Sequence, residues 1–170
     1  MAGKEGFQPF MLSSAKLADA LDKTRWASGF DWKEIVIMAQ TMRAFQVQQG
    51  TVLWEEGDVE QYMGIIVRGT VNTLKSDHKD GKDSKDGKIA TLGKGQSLGE
   101  MCLIDREPRS ATAVAASDLV ILLISVKDVH TLRDEHTLVG YKFLWKLAQM
   151  LSQRLRNTSG QLVDFLCDGE

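Results

Sequence analysis

The sequence predicts an α+β protein with a β-rich middle between helical ends. Apolar residues follow a helical period up to about residue 42. Between residues 43 and 126 they fall into short runs separated by glycines, and from residue 127 the helical spacing returns. We therefore divide the chain into an N-terminal helical segment (1–42), a small β-sandwich or β-barrel (43–126) and C-terminal helices (127–170).

The N-terminal segment contains signals for two helices. Ser13 or Ser14 can cap the first helix, and Asp31 can cap the second, DWKEIVIMAQTM. Glu34 lies near the N-terminus of that second helix, where the helix dipole favours a negative charge. We therefore expect two short helices before the first strand of the middle segment.

The middle segment shows the alternation and the turns of antiparallel strands. Apolar and polar residues alternate at 45–48, and Gly50, Gly57 and Gly69 end successive apolar runs. The stretch KSDHKDGKDSKDGK between Lys75 and Lys88 holds no apolar residue. We interpret this stretch as a solvated hairpin loop, with a docking surface as the alternative.

The C-terminal segment carries two apolar faces. The first is a seam with steps of three and four residues, the period of a coiled coil; it comprises Tyr141, Leu144, Ala148, Leu151, Leu155, Thr158, Leu162 and Phe165. The second set is Phe143, Trp145, Leu147 and Met150. Two faces suggest two partners, the chain's own β-rich middle and a second copy, so we predict a homodimer. The alternative is a helix that only lies back on the middle segment.

Composition excludes several classes of function. The net charge of −2 gives no basic field for nucleic acid or an acidic membrane surface. Two cysteines are too few for a disulfide framework and indicate reduced thiols. No apolar run has membrane-spanning length. We therefore expect a cytoplasmic protein. The three histidines lack metal-ligand spacing, and GxxxxGK[ST] does not occur. We therefore expect neither metal nor catalysis.

The stretch 98–112, LGEMCLIDREPRSAT, is the candidate binding site. Gly99 can adopt a positive φ, and MCLI can form a helical turn whose free N–H groups face a ligand. The planar guanidinium of Arg109 suits a phosphate, and the Glu100 carboxylate suits a ribose hydroxyl. The alternative is that Glu100 and Arg109 pair with each other or with solvent.

The same stretch resembles the phosphate-binding cassette of the cyclic nucleotide-binding domain family. The matches, without a gap, are Gly99, Glu100, Leu103, Pro108, Arg109, Ala111 and Thr112. This resemblance implies a jelly-roll β-barrel flanked by N-terminal helices and a long C-terminal helix. It also implies a cyclic nucleotide ligand, with cAMP favoured over cGMP.

The resemblance assigns roles to individual residues. Arg109 would bind the exocyclic phosphate oxygens and Glu100 the ribose 2′-hydroxyl. Gly99 would let the ligand approach the backbone, and backbone N–H groups near Met101, Cys102 and Ala111 would surround the phosphate. Ser110 would form a hydrogen bond with the phosphate or with a guanine amino group. LAQMLSQRLRNTS is similar to the end of the family's dimerising helix, so Thr158 and Ser159 would reach the adenine from the two subunits.

The sequence departs from the bacterial activators of this family in two ways. Gly160 costs about 1 kcal/mol inside a helix, so we expect a possible break there, with QLVDFL as a separate segment. The sequence ends at Glu170 without a helix-turn-helix, so DNA binding is not expected.

Two functions follow from the sequence. The first is a stand-alone, non-catalytic receptor whose ligand moves the last helix against a partner protein. The alternative is a protein-interaction scaffold of the same fold that has no ligand or responds to cyclic di-GMP.

Overall fold

The computed structural model describes residues 6–75 and 87–167, without the side chain of Phe165. The predicted loop between Lys75 and Lys88 therefore lies almost wholly outside the described residues. Among those residues, no helix has both the length and the apolar character needed to cross a membrane.

The described strands form two antiparallel sheets. The strands are β1 (Phe7–Pro9), β2 (Arg43–Val47), β3 (Val52–Trp54), β4 (Tyr62–Arg68), β5 (Val71–Lys75), β6 (Gly87–Leu92), β7 (Ser97–Leu98), β8 (Thr112–Ala115) and β9 (Leu119–Ser125). Their order is β1-β2-β9-β4-β7 in one sheet and β3-β8-β5-β6 in the other. The predicted jelly roll is confirmed, but as an open sandwich rather than a closed barrel. The short edge strands β3 and β7 each pair with one neighbour only, so no hydrogen bonds join the sheets there.

The helices are α1 (Ser14–Asp22), α2 (Trp32–Gln40), α3 (Met101–Ile104), α4 (Val126–Glu135) and α5 (Thr137–Cys167), with a 3-10 turn at Arg25–Ala27. The predicted caps are confirmed: Ser13 accepts the Lys16 N–H, and Asp31 forms a reciprocal capping box with Glu34. The N-terminal segment is not wholly helical, because β1 pairs with β2. Three residues are too few for a strand period to be visible in the sequence.

The first half of α5 is anchored on the N-terminal helices. Phe143 and Leu147 are fully buried, and the Phe143 ring lies 4.9 Å from that of Trp26. Lys142 Nζ donates to Glu34 Oε1 at 2.5 Å and so ties α5 to α2. Trp145 does not belong to this buried face and is 57% exposed. A residue two positions after Phe143 lies on nearly the opposite side of the helix.

The expected break at Gly160 does not occur, because α5 continues through it to Cys167. The cost of one glycine, about 1 kcal/mol, is smaller than the loss of the helical hydrogen bonds on both sides. In the second half of the helix, the described side chains from Ser152 onward are exposed, apart from a partly buried Arg154. The helix therefore presents a long exposed surface beyond the sandwich.

Candidate functional site

A cavity of about 400 Å³ lies beside the short helix α3. The predicted site residues that line it are Gly99, Glu100, Met101, Cys102, Arg109, Ser110 and Ala111. Residues from other elements complete the wall: Trp54 of β3, Ile89 and Leu92 of β6, and Arg154 of α5. The fold thus brings most of the predicted cassette to a single cavity.

Gly99 makes the close packing of this cassette possible. It follows β7 with a φ of +74°, a conformation that favours glycine. A Cβ placed on Gly99 would lie 2.4 Å from Arg109 Nη1 and 3.1 Å from the Trp54 ring. The absence of a side chain at Gly99 therefore leaves the space that the arginine occupies.

The guanidinium of Arg109 is buried among acceptors and aromatic rings. Nη1 donates to the Gly99 carbonyl at 3.2 Å and to Cys102 Sγ at 3.1 Å. Nη2 donates to the Tyr62 carbonyl at 2.6 Å. The residue is only 4% exposed, and among the described residues no carboxylate forms an ion pair with it. The cavity therefore contains a buried cation that has no counter-ion among the described residues.

Glu100 pairs with a cation from the last helix. Arg154 Nη1 donates to Glu100 Oε1, and Arg154 Nη2 donates to the Ser97 carbonyl at 2.5 Å. Glu100 is 2% exposed. The alternative that Glu100 and Arg109 pair with each other or with solvent is therefore wrong. Arg154 therefore joins the candidate binding stretch to α5.

Two buried polar atoms of the cavity residues lack hydrogen-bond partners within the described part of the chain. They are the Arg109 Nε, a donor, and the Glu100 Oε2, an acceptor. Buried polar atoms without partners are rare in folded proteins. A ligand with an anionic oxygen and a hydroxyl group has the complementary chemistry for both.

Burial also sets the ionisation of the neighbouring groups. Desolvation raises the pKa of the Cys102 thiol, although the Arg109 charge acts in the opposite direction. Desolvation and the hydrogen bond to Glu60 raise the pKa of Tyr62 well above its usual value. Both groups therefore stay neutral near pH 7 and leave the Arg109 charge uncompensated.

The remaining predicted residues lie outside the centre of the cavity. Ser110 is exposed at the rim, and its carbonyl accepts from Lys75 Nζ at 2.9 Å. Thr158 and Ser159 are exposed on α5, one turn beyond Arg154, and do not line the cavity of their own chain. Their contact with a ligand stays a prediction.

Three contributing residues were not predicted. Trp54, Tyr62 and Arg154 are distant in sequence from the cassette, and only Arg154 had a usable signal. It precedes Thr158 by four residues, which places both on adjacent turns of one helix face.

Within the described residues, no group of three or more His, Cys, Asp or Glu side chains is arranged to hold a metal ion.

Replacing Gly99 with alanine should weaken the binding of an anionic ligand by at least about tenfold. The new Cβ would displace Arg109 Nη1 and would also strain the backbone at its positive φ. Calorimetric titration measures the effect. Gly29→Ala is the control: it has a similar φ of +96°, with nothing near its Cβ position and no contact with the cavity. Equal affinities of the Gly99→Ala protein and the wild type would contradict the assignment.

Comparisons with known proteins agree with this geometry. A family model described as the cyclic nucleotide-binding domain matches residues 44–136. The cyclic AMP receptor protein of Thermus thermophilus is 32% identical over 67% of this chain and 49% of its own length. A cAMP-dependent protein kinase regulatory subunit of Candida albicans is 35% identical over 52% of this chain and 17% of its own length.

Solved structures lead to the same family. A cyclic nucleotide-binding domain from Methylobacillus flagellatus superposes with a TM-score of 0.80 at 25% identity, covering 93% of this chain and 88% of that one. The chain spans about half, or less, of the length of the two curated relatives above. The fold and the family match across residues 44–136 agree, and the chain belongs to the cyclic nucleotide-binding domain family.

Proposed function

We propose that this chain is a non-catalytic receptor for a cyclic nucleotide, with cAMP favoured over cGMP. The observation that carries the proposal is a pair of buried atoms without a hydrogen-bond partner in the described part of the chain. One is a donor on Arg109 and the other an acceptor on Glu100, and both residues line a single cavity. A cyclic nucleotide supplies a phosphate oxygen for the first and a ribose hydroxyl for the second. The Thermus relative is named a cyclic AMP receptor, which supports the same ligand class.

The cavity walls suit the remaining parts of such a ligand. Backbone N–H groups at the start of α3, near Met101 and Cys102, would meet the phosphate beside Arg109. The apolar side chains of Ile89 and Leu92 would cover the base from β6. Ser110 at the rim would contact the phosphate or the base edge.

Helix α5 would transmit the binding event through Arg154. This arginine and the ribose hydroxyl share one carboxylate, Glu100, so occupancy of the cavity changes the contact that holds α5. Ligand binding would then shift the population of α5 positions, with Thr158 and Ser159 closing over the base. A second copy bound along the exposed seam, and a downstream protein partner, would respond to that shift.

Calorimetric titration with cAMP, cGMP and cyclic di-GMP tests the proposal. We expect binding of cAMP in preference to cGMP, with a rise in the melting temperature. At a free ligand concentration of 100 Kd the stabilisation should be about 2.7 kcal/mol. No heat and no melting shift with any of the three would contradict a receptor and favour the ligand-less scaffold. Binding of cyclic di-GMP alone would favour the cyclic di-GMP-responsive scaffold.

Replacing Arg154 with alanine should uncouple α5 from the cavity while cAMP still binds. A label on Cys167, the exposed thiol at the end of α5, should respond to cAMP in the wild type but not in the variant. The ligand-free variant should also lose about 1 kcal/mol of stability, because buried Glu100 loses its cation. The loss should be no larger, because Arg154 is 40% exposed and solvent screens the ion pair.

The control for this variant is Arg156→Ala. Arg156 lies on the same helix and donates only to Ser152 within the described residues. It should behave like the wild type. A label that responds equally in the Arg154→Ala protein would contradict the coupling role of Arg154.

A further inference from the structure

We propose that Tyr62, together with Trp54, is a positioning residue that holds Arg109 for the ligand anion. The inference rests on the proposed function and concerns how the same site keeps its cation available. Instead of a counter-ion, aromatic rings and backbone carbonyls stabilise the guanidinium. The charge is thereby held in place without being neutralised.

The aromatic contacts of Arg109 come from two strands outside the cassette. The guanidinium carbon lies 4.0 Å from the Trp54 ring centroid and 4.6 Å from that of Tyr62. The two rings meet edge to face, with centroids 5.6 Å apart and an interplanar angle of 76°. Trp54 is the last residue of β3 and Tyr62 the first of β4. At these distances the two rings and the guanidinium form one packed group.

Tyr62 contributes its backbone as well as its ring. Its carbonyl accepts the 2.6 Å hydrogen bond from Arg109 Nη2. Its hydroxyl donates to Glu60 Oε2 at 2.9 Å and contacts the Leu53 carbonyl at 3.3 Å, which fixes the ring. Of the guanidinium nitrogens, Nη1 and Nη2 have protein acceptors, whereas Nε has none among the residues that the structure describes. The buried Nε is therefore the guanidinium nitrogen whose hydrogen bond a ligand oxygen would complete.

This arrangement has two consequences for binding. Aromatic faces attract a cation through their quadrupole but carry no net charge, so Arg109 retains its full attraction for an anion. A long side chain that is already fixed in the free protein also loses less conformational freedom when the ligand arrives. Tyr62 would therefore raise the affinity for the anionic part of the ligand without touching it.

The test compares Tyr62→Leu with Tyr62→Phe in titrations with cAMP. Leucine removes the ring and should lower the affinity about three- to thirtyfold, the range expected for loss of a buried cation–π contact. Phenylalanine keeps the ring and the carbonyl, and its affinity should stay within about twofold of the wild type. Trp54→Leu is the second variant, in case Tyr62→Leu does not fold; it removes the other ring and should show a similar loss.

The NMR signal of the Arg109 Nε–H in the ligand-free protein distinguishes a positioning role of Tyr62 from a role in protein stability alone. Arg109→Lys, which lacks this group, assigns the signal. In the wild type we expect a slowly exchanging resonance that shifts when cAMP is added. In Tyr62→Leu it should exchange rapidly, as for an unrestrained arginine, even if the protein is stably folded.

The possible outcomes separate this inference from the proposed function. A Tyr62→Leu protein with wild-type affinity and an unchanged Arg109 signal would overturn the positioning role alone. A wild type that binds no cyclic nucleotide would overturn the proposed function and, with it, a role of Tyr62 in ligand binding. Weaker binding together with faster exchange supports the inference.

Discussion

Replacing Arg109 with alanine should lower the affinity for cAMP by roughly tens-fold to a thousandfold. Each hydrogen bond to a charged partner contributes about 1.5–3 kcal/mol, and each 1.4 kcal/mol changes the dissociation constant about tenfold. The loss should be large because the guanidinium is buried and because no described carboxylate compensates its charge. Calorimetry with cAMP measures the change directly.

Two further variants show whether charge or position matters. Arg109→Lys keeps the charge but lacks the planar group that Trp54, Tyr62 and the surrounding acceptors hold, so we expect an intermediate loss. Arg106→Ala is the control, because Arg106 lies in the same stretch, is exposed and does not line the cavity. It should bind cAMP like the wild type. Wild-type affinity in Arg109→Ala would refute the site assignment.

The centre of the site could be predicted because its residues are close in sequence. Gly99, Glu100 and Arg109 lie within one stretch, and each residue type has a direct chemical reason to face a nucleotide. The residues that orient them come from elsewhere: the Tyr62 carbonyl bonds Arg109 across 47 positions, and Arg154 reaches Glu100 across 54. Such contacts depend on tertiary packing. The spacing of Arg154 from Thr158 indicates only that the two residues share a helix face. No local pattern in the sequence names Glu100 or Arg109 as the partner.

The same distinction explains the fold. The caps at Ser13 and Asp31 were predicted because capping depends on neighbouring residues only. The choice between a closed barrel and an open sandwich depends on which edge strands pair, and strand periodicity does not determine this. At Gly160 the destabilising effect of a single glycine was overestimated, because a long helix with hydrogen bonds on both sides tolerates it.

The exposed second half of α5 leads to the other prediction with a large effect. Most helical stability in proteins comes from the packing of an apolar face, so a partner along this half would stabilise it. On the predicted seam, Tyr141, Leu155 and Leu162 are 61%, 68% and 57% exposed. A second copy that packs seam against seam would bury these side chains and would bring Thr158 and Ser159 of both helices towards the cavities.

Replacing Leu155 and Leu162 together with glutamate should convert this dimer into a monomer. Complete burial of one leucine contributes about 1.5–3 kcal/mol, and the double substitution affects four leucines of the dimer. Because these side chains are 68% and 57% exposed in the single chain, roughly 4–8 kcal/mol is lost. That corresponds to about a thousandfold or more in the dissociation constant. Sedimentation equilibrium at micromolar concentration, with and without cAMP, should show a dimer for the wild type and a monomer for the variant.

Val163→Glu is the control for the added charge. Val163 is 57% exposed, like its neighbour Leu162, but points about 100° away from the seam. This variant should remain dimeric, because its charge would stay in solvent. If Val163→Glu dissociates the protein as strongly as the seam variant, the interface lies elsewhere on α5. If the wild type sediments as a monomer with and without cAMP, the exposed leucines do not bind a second copy, and the effect of the ligand on α5 must act within one chain.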